Sequence, residues 1–256
     1  YRPSVQLASA LFRGRRAYSN SGLWDLHLAW LGIVNYESNP PRYLNCDYDC
    51  GGYKILRSAD ANVIFRYPKY RYRPSQADAM HVDLWVNGVN VLSDAGSYSY
   101  NSVPDMSGYF NGTASHNTVQ FDDRDQMPKL GRFLFGSWLK SKHVTPISAS
   151  DAGVSCSASY RDFRGAEHLR QVNLNETSLN VSDHVKGFER KAVIRWRLPN
   201  SDWVLENTQN GVQVSNGVNF LTVKSDVALI RAEIVEGWKS LCYMQKNSVS
   251  VLEVEI

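Results

Sequence analysis

The sequence predicts a mainly β fold, an antiparallel β-sandwich preceded by a few helices, and three observations carry that expectation. From residue 133 to the end, short alternating apolar segments follow one another with turn residues between them and no helical periodicity. Residues 80–92, MHVDLWVNGVNVL, alternate on either side of Asn87-Gly88, a dipeptide that tolerates the positive φ angles of a two-residue hairpin turn. The one long apolar helical stretch, LWDLHLAWLGIV at 23–34, lies close to the start of the chain.

Taken in order, residues 1–22 carry Arg2, Arg13, Arg15 and Arg16 around Leu7, Ala8, Ala10, Leu11 and Phe12, the makings of a short helix with a solvated basic face. Residues 23–34 are apolar nearly all round, with Ser21 as N-cap and Asp25 in the first turn. Such a helix needs partners, which assigns it to a helical domain lying mostly upstream, with His27 packed inside it. Asn39-Pro40-Pro41 ends the helical region, and CDYDCGGY at 46–53 reads as a turn-rich linker. The expected domains are therefore 1–50, the last helices of an upstream helical domain plus linker, and 51–256, the β-sandwich.

Strands are expected at 55–59 and 62–67, then at 154–160, 168–174, 179–184, 192–198, 203–206, 220–223, 228–234 and 249–256. Between them, RYPKYRYRP at 66–74 interleaves basic residues with tyrosines and prolines, which suits an exposed loop and an anionic sugar chain, with Arg71 and Arg73 meeting acid groups. The net charge of +3 is too small to argue for nucleic acid. No apolar run approaches the roughly 18–20 residues of a membrane-spanning helix. The four cysteines, Cys46, Cys50, Cys156 and Cys242, lack the spacing of a zinc site or a disulfide framework and read as free thiols. Residues 101–113 form a candidate cleft-edge loop, and Asp122-Asp123-Arg124-Asp125 a solvated turn without the pattern of a calcium-binding EF-hand.

The hairpin sets a register. If Val86 pairs with Val89, Leu84 faces Val91, Val82 faces Ser93 and His81 faces Asp94. In 116–121, His116, Thr118 and Gln120 share the face opposite Val119 and Phe121, which turns His116 away from the core. Asp94, His116 and either Gln76 or His81 then converge on one polar surface, as a working site or as a hydrogen-bonded His-Asp pair that fixes the sheet. Ser97-Tyr98-Ser99-Tyr100, if extended, places both tyrosines on one side.

The run QADAMHVDLWVNGVNVLSDAGSYSY followed by SHNTV resembles the C-terminal β domain of the heparinase II/III-like polysaccharide lyases in the order and spacing of its parts. The resemblance implies an N-terminal α/α toroid upstream, an acidic polysaccharide substrate and cleavage by β-elimination at a uronic acid. It also implies a periplasmic or secreted setting. Asp94 and His116 match family positions that bind a metal in some members, so the resemblance leaves room for zinc or calcium there, and the hairpin register that sets His81 beside Asp94 adds it as a further ligand candidate, although no cofactor follows from the residues themselves. It makes His116, Tyr98 and Tyr100 the catalytic candidates and Gln76, Arg71, Arg73 and Asn117 the substrate-binding ones. Pro74 and Gln76 stand where the family carries two histidines, and Ala95 replaces its proline. A non-catalytic carbohydrate-binding or structural module with the same fold is the alternative.

Overall fold

The computed structural model describes residues 1–40, 44–101 and 104–256 and divides them into two compact units, Tyr1–Leu44 and Asn45–Ile256. In the first unit, the helix Arg2–Arg13 stops at Gly14, which takes the left-handed conformation. The apolar stretch that follows makes only a 3-10 turn, Leu23–Asp25, and the short helix Leu26–Trp30, so the expected 23–34 helix is cut at both ends. Gly22, not Ser21, is the N-cap. At the other end Gly32 adopts φ 61, and Ile33 N–H reaches Leu28 O (2.9 Å) while Gly32 N–H reaches Ala29 O (3.2 Å), the two-bond closure that terminates a helix at glycine. Asp25 binds this unit together, accepting from Gln6 Nε2 (2.5 Å) and pairing with Arg16 (2.8 Å).

The second unit is built from antiparallel strands. One sheet runs Cys46–Tyr48, Tyr53–Arg57, Ala61–Arg66, Val82–Val86, Val89–Leu92. The first of these strands falls in the stretch expected to be linker; Cys46 pairs with Ile55, so the β unit starts earlier than residue 51. A second sheet orders Ser148–Ser150, Gly153–Arg161, Glu167–Leu174 and Leu179–Lys186, with Ser141–Val144 also paired to Gly153–Arg161. A third orders Arg231–Lys239, Asn247–Glu255, Ala192–Leu198 and Val119–Phe121, and a fourth Val204–Thr208, Gly211–Ser215 and Phe220–Lys224. All four supply side chains to one apolar core, among them Leu56, Phe65, Ala158, Leu174, Trp196, Leu252 and Val214.

Two departures bear on the site. The Asn87-Gly88 turn forms as expected, with φ 49 and 78, and Val86 pairs with Val89. A bulge between Leu84 and Trp85 then moves Leu84 opposite Leu92 instead of Val91, because one extra residue shifts every later partner. Within the expected 101–113 loop, Pro104–Asn111 is helical; residues 102 and 103 lie outside the described residues. The Asp122 turn is solvated only in part: Asp123 is exposed, but the Asp122 side chain is covered. The Asp122 carboxylate takes the backbone N–H groups of Glu189, Arg190 (2.7 Å) and Lys191, fixing 119–124 against 189–191. None of the four cysteines is in a disulfide.

Candidate functional site

His81 lies just before the hairpin's first strand, Asp94 just after its second, and His116 at the end of a 3-10 turn, Thr113–Ser115, with extended backbone. The bulge removes the cross-strand pairing expected of His81 and Asp94, yet the two still meet. His116 Nδ1 is 2.7 Å from Asp94 Oδ2, His81 Nε2 is 3.7 Å from the same oxygen, and the two imidazoles stand edge to face at 5.5 Å. The turn after Asp94 closes the arrangement. Gly96 N–H donates to Asp94 Oδ1 (2.6 Å), and only glycine fits there: φ is +80, and a Cβ would come within 2.1 Å of Ser240 O. Gln76 Nε2 donates to Gly96 O (3.2 Å), so it braces this turn.

The cluster is buried, which corrects the expectation that His116 points outward. His116 has no exposed surface, His81 is almost as covered, and the Nε2 atoms of both lack a hydrogen-bond partner. Asp94 keeps about a third of its side chain exposed (33%) and is the cluster's outlet. Burial alone would raise the Asp94 pKa; His116, its hydrogen bond, His81 and Gly96 N–H outweigh it and hold the carboxyl well below the usual carboxylate range.

The supports of the cluster were not legible as a group. Asn117, expected to bind substrate, is fully buried and spent on structure: Nδ2 donates to Val82 O (2.8 Å) and Ser93 O (3.4 Å), Oδ1 accepts from Arg197 N–H (2.6 Å), and its own N–H donates to His81 Nδ1 (3.0 Å). Arg170, also fully buried, chelates Asp183 through Nε (2.6 Å) and Nη2 (2.9 Å) and sends Nη1 to Met80 O and Asn117 O (both 2.6 Å). It thereby ties together the two segments that carry the histidines. His168, on the same strand face, adds a 2.6 Å contact to Asp183. Buried Arg197 bonds Tyr109 Oη (2.9 Å), which also accepts Trp238 N–H (2.9 Å).

The other expected residues are dispersed. Tyr98 has φ 55, so the segment is not extended and the tyrosines do not share a side. Tyr98 stacks on Phe110 (5.4 Å), whereas Tyr100 is 61% exposed and lies against Phe133 and Tyr243. The basic loop is half inward: Tyr67 and Pro74 are buried, Arg66 pairs with Asp78 (3.1 Å) and Lys69 with Asp49. Arg71 and Arg73 are exposed and have no carboxylate partner among the described residues.

Buried imidazoles give a pH dependence. Burial lowers His81 to about 3 and also lowers His168, so below about pH 6.5 the unfolded chain binds protons these folded groups refuse. Their contribution to stability is present above that pH and drains as pH falls. Asp83 opposes them, since burial raises it to about 6 and its stabilisation is lost as pH rises from about 4 to 6. Two imidazoles outweigh one carboxyl. We expect the melting temperature to fall steadily on acidification below about pH 6.5 and more steeply below about pH 4, where Asp94 and Asp183 join. A flat profile from pH 7 to 4 in calorimetry would refute this.

The family model described as Heparinase II/III-like, C-terminal, matches residues 44–253, and the chain belongs to that family. No curated protein sequence matches. Among solved structures, the fold is similar to heparan sulfate lyase HepC from Pedobacter heparinus, with 15% identity and a TM-score of 0.70 over 100% of this chain and 39% of that one. It is likewise similar to a heparinase III, with 18% identity and a TM-score of 0.68 over 88% of this chain and 36% of that one. The chain therefore spans well under half the length of the solved proteins it resembles.

Proposed function

We propose that this chain is the β domain of a lyase that cleaves a uronic-acid-containing polysaccharide by β-elimination, with the catalytic base in a helical domain upstream. In that reaction a base removes the C5 proton, a cation or hydrogen-bond donor neutralises the uronate carboxylate, and an acid protonates the leaving oxygen. The observation that carries the reading is the state of the basic loop. Arg66 and Lys69 are held by carboxylates, whereas Arg71 and Arg73 stand exposed without one among the described residues, beside the exposed ring of Tyr72. Paired cations with aromatic surface suit an anionic sugar chain. Tyr100 is the better placed of the two tyrosines to touch it. His116, being buried, acts through Asp94 as a positioning residue. Exposed Leu23, Trp30, Leu31 and Val34 in the first unit support a helical neighbour.

Incubation of the full-length protein with a panel of uronate polymers should release unsaturated product, read by its ultraviolet absorbance, and the fragment alone should release none. Turnover by the fragment would sink the placement of the base upstream. Replacing Arg71 and Arg73 together by serine should weaken binding about tenfold at low salt, with the difference closing at high salt. Equal binding of the two proteins would remove the loop from the interface.

The second reading, a non-catalytic carbohydrate-binding module, is favoured by the complete burial of His116 and by Pro74 and Gln76 at the family's histidine positions. Binding without turnover across the panel would establish it.

A further inference from the structure

We propose that the His81, Asp94 and His116 cluster works without a metal ion: His81 serves as an N–H donor facing Asp94, not as a ligand, and the two imidazoles hold the carboxylate that a cation would otherwise hold. By residue type the set suits zinc rather than calcium, since imidazole nitrogen is a good donor to the first and a poor one to the second. The three side chains also offer ligand atoms within 4.8 Å of one another. Lone pairs decide the matter.

A neutral imidazole has one N–H and one lone pair. Asn117 N–H donates to His81 Nδ1 at 3.0 Å, so the lone pair is on Nδ1 and is already used. The proton then sits on Nε2, the nitrogen 3.7 Å from Asp94 Oδ2. That separation is longer than a direct hydrogen bond, and the attraction across it is electrostatic. Protonating the ring fully would not change the conclusion, because it would set a second N–H against that of Asn117. Turning the ring over would not either, because carbon would replace Nδ1 and leave the buried Asn117 N–H without an acceptor.

His116 has the opposite tautomer. An ionised carboxylate can only accept, so Nδ1, 2.7 Å from Asp94 Oδ2, bears the proton. For His81 to ligate through Nε2, its proton would have to move to Nδ1 and face the Asn117 N–H at 3.0 Å. Without His81, Asp94 and His116 are the two ligands left in the group, fewer than the three or four protein ligands of a zinc site. The inference concerns the cluster alone and holds whether or not the full-length protein cleaves polysaccharide.

The test is a long-range proton–nitrogen correlation spectrum of the ¹⁵N-labelled chain at neutral pH. His81, identified by coupling across the hydrogen bond from Asn117 N–H to Nδ1, should show the Nε2–H tautomer, and His116 the Nδ1–H tautomer. Calorimetric titration with zinc should show no stoichiometric binding, and neither zinc nor a chelator should move the unfolding midpoint. An Nδ1–H tautomer at His81 would overturn the proposal. So would one equivalent of tightly bound zinc that is lost in His81→Gln. If that variant does not fold, the spectrum of the unmodified chain decides alone.

Discussion

Replacement of Arg170 by methionine is expected to destabilise the β unit by about 3–5 kcal/mol, the cost of breaking a buried ion pair from one side. Arg170 has no exposed surface and its guanidinium makes four hydrogen bonds, two to the carboxylate of Asp183 and two to the carbonyls of Met80 and Asn117. Methionine fills much of the volume but leaves Asp183 with His168 as its remaining side-chain partner and strands both carbonyls. The loss reaches the site because Met80 precedes His81 and Asn117 follows His116. Asp183 should respond in parallel: burial would raise its pKa, but Arg170 and His168 hold it low, so the stabilisation is present above about pH 4 and disappears below it. Removing both charges, in Arg170→Met with Asp183→Leu, should cost less than Arg170→Met alone, since no unpaired ion remains. Chemical denaturation midpoints at constant slope measure both variants against the parent. A single-variant cost under about 1 kcal/mol would show that the pair is not what joins the segments.

Much of the fold was legible because its signals are local. Alternation places Glu167–Leu174, Leu179–Lys186 and Ala192–Leu198 to within a residue or two, and Asn87-Gly88 fixes the hairpin turn. The bulge at Leu84 has no such signal, being a choice made by the packed sheet. The helix Pro104–Asn111 contains Ser107 and Gly108, poor helix formers, so local propensity argued for a loop and tertiary context prevailed. At the site, His81, Asp94 and His116 were legible as neighbours but not as buried, because His116 caps a 3-10 turn and lies ahead of the strand, Val119–Phe121, whose alternation was used to orient it. Arg170 could have been found. It is in phase with Val172 and Leu174 on the inward face, and a charged residue in phase with a core calls for a partner, here Asp183 directly across the register. Asn117 gave no such clue, since an asparagine before a strand is ordinary.

Asn117→Ala is the second large effect, expected at about 3 kcal/mol or more, because a residue that touches no solvent satisfies groups on three segments. Its Nδ2 serves carbonyls of Val82 and Ser93 on the hairpin, and its Oδ1 serves Arg197 N–H on Ala192–Leu198. Alanine leaves each without that partner at about 1–3 kcal/mol for every group stranded in the interior. Asn117→Asp separates this account from a simple loss of packing. The acceptor facing Arg197 N–H survives, but an oxygen replaces the donor between two carbonyls, so aspartate should be at least as destabilising as alanine despite its nearly identical shape. An aspartate variant as stable as the parent would mean that the two carbonyls do not need Nδ2. The backbone N–H that holds His81 is unchanged in both variants, so any change in the His81 tautomer would report movement of the segment itself. That connects stability to the site: the side chain that closes the hairpin against the central sheet belongs to the residue whose backbone decides which nitrogen of His81 carries the proton.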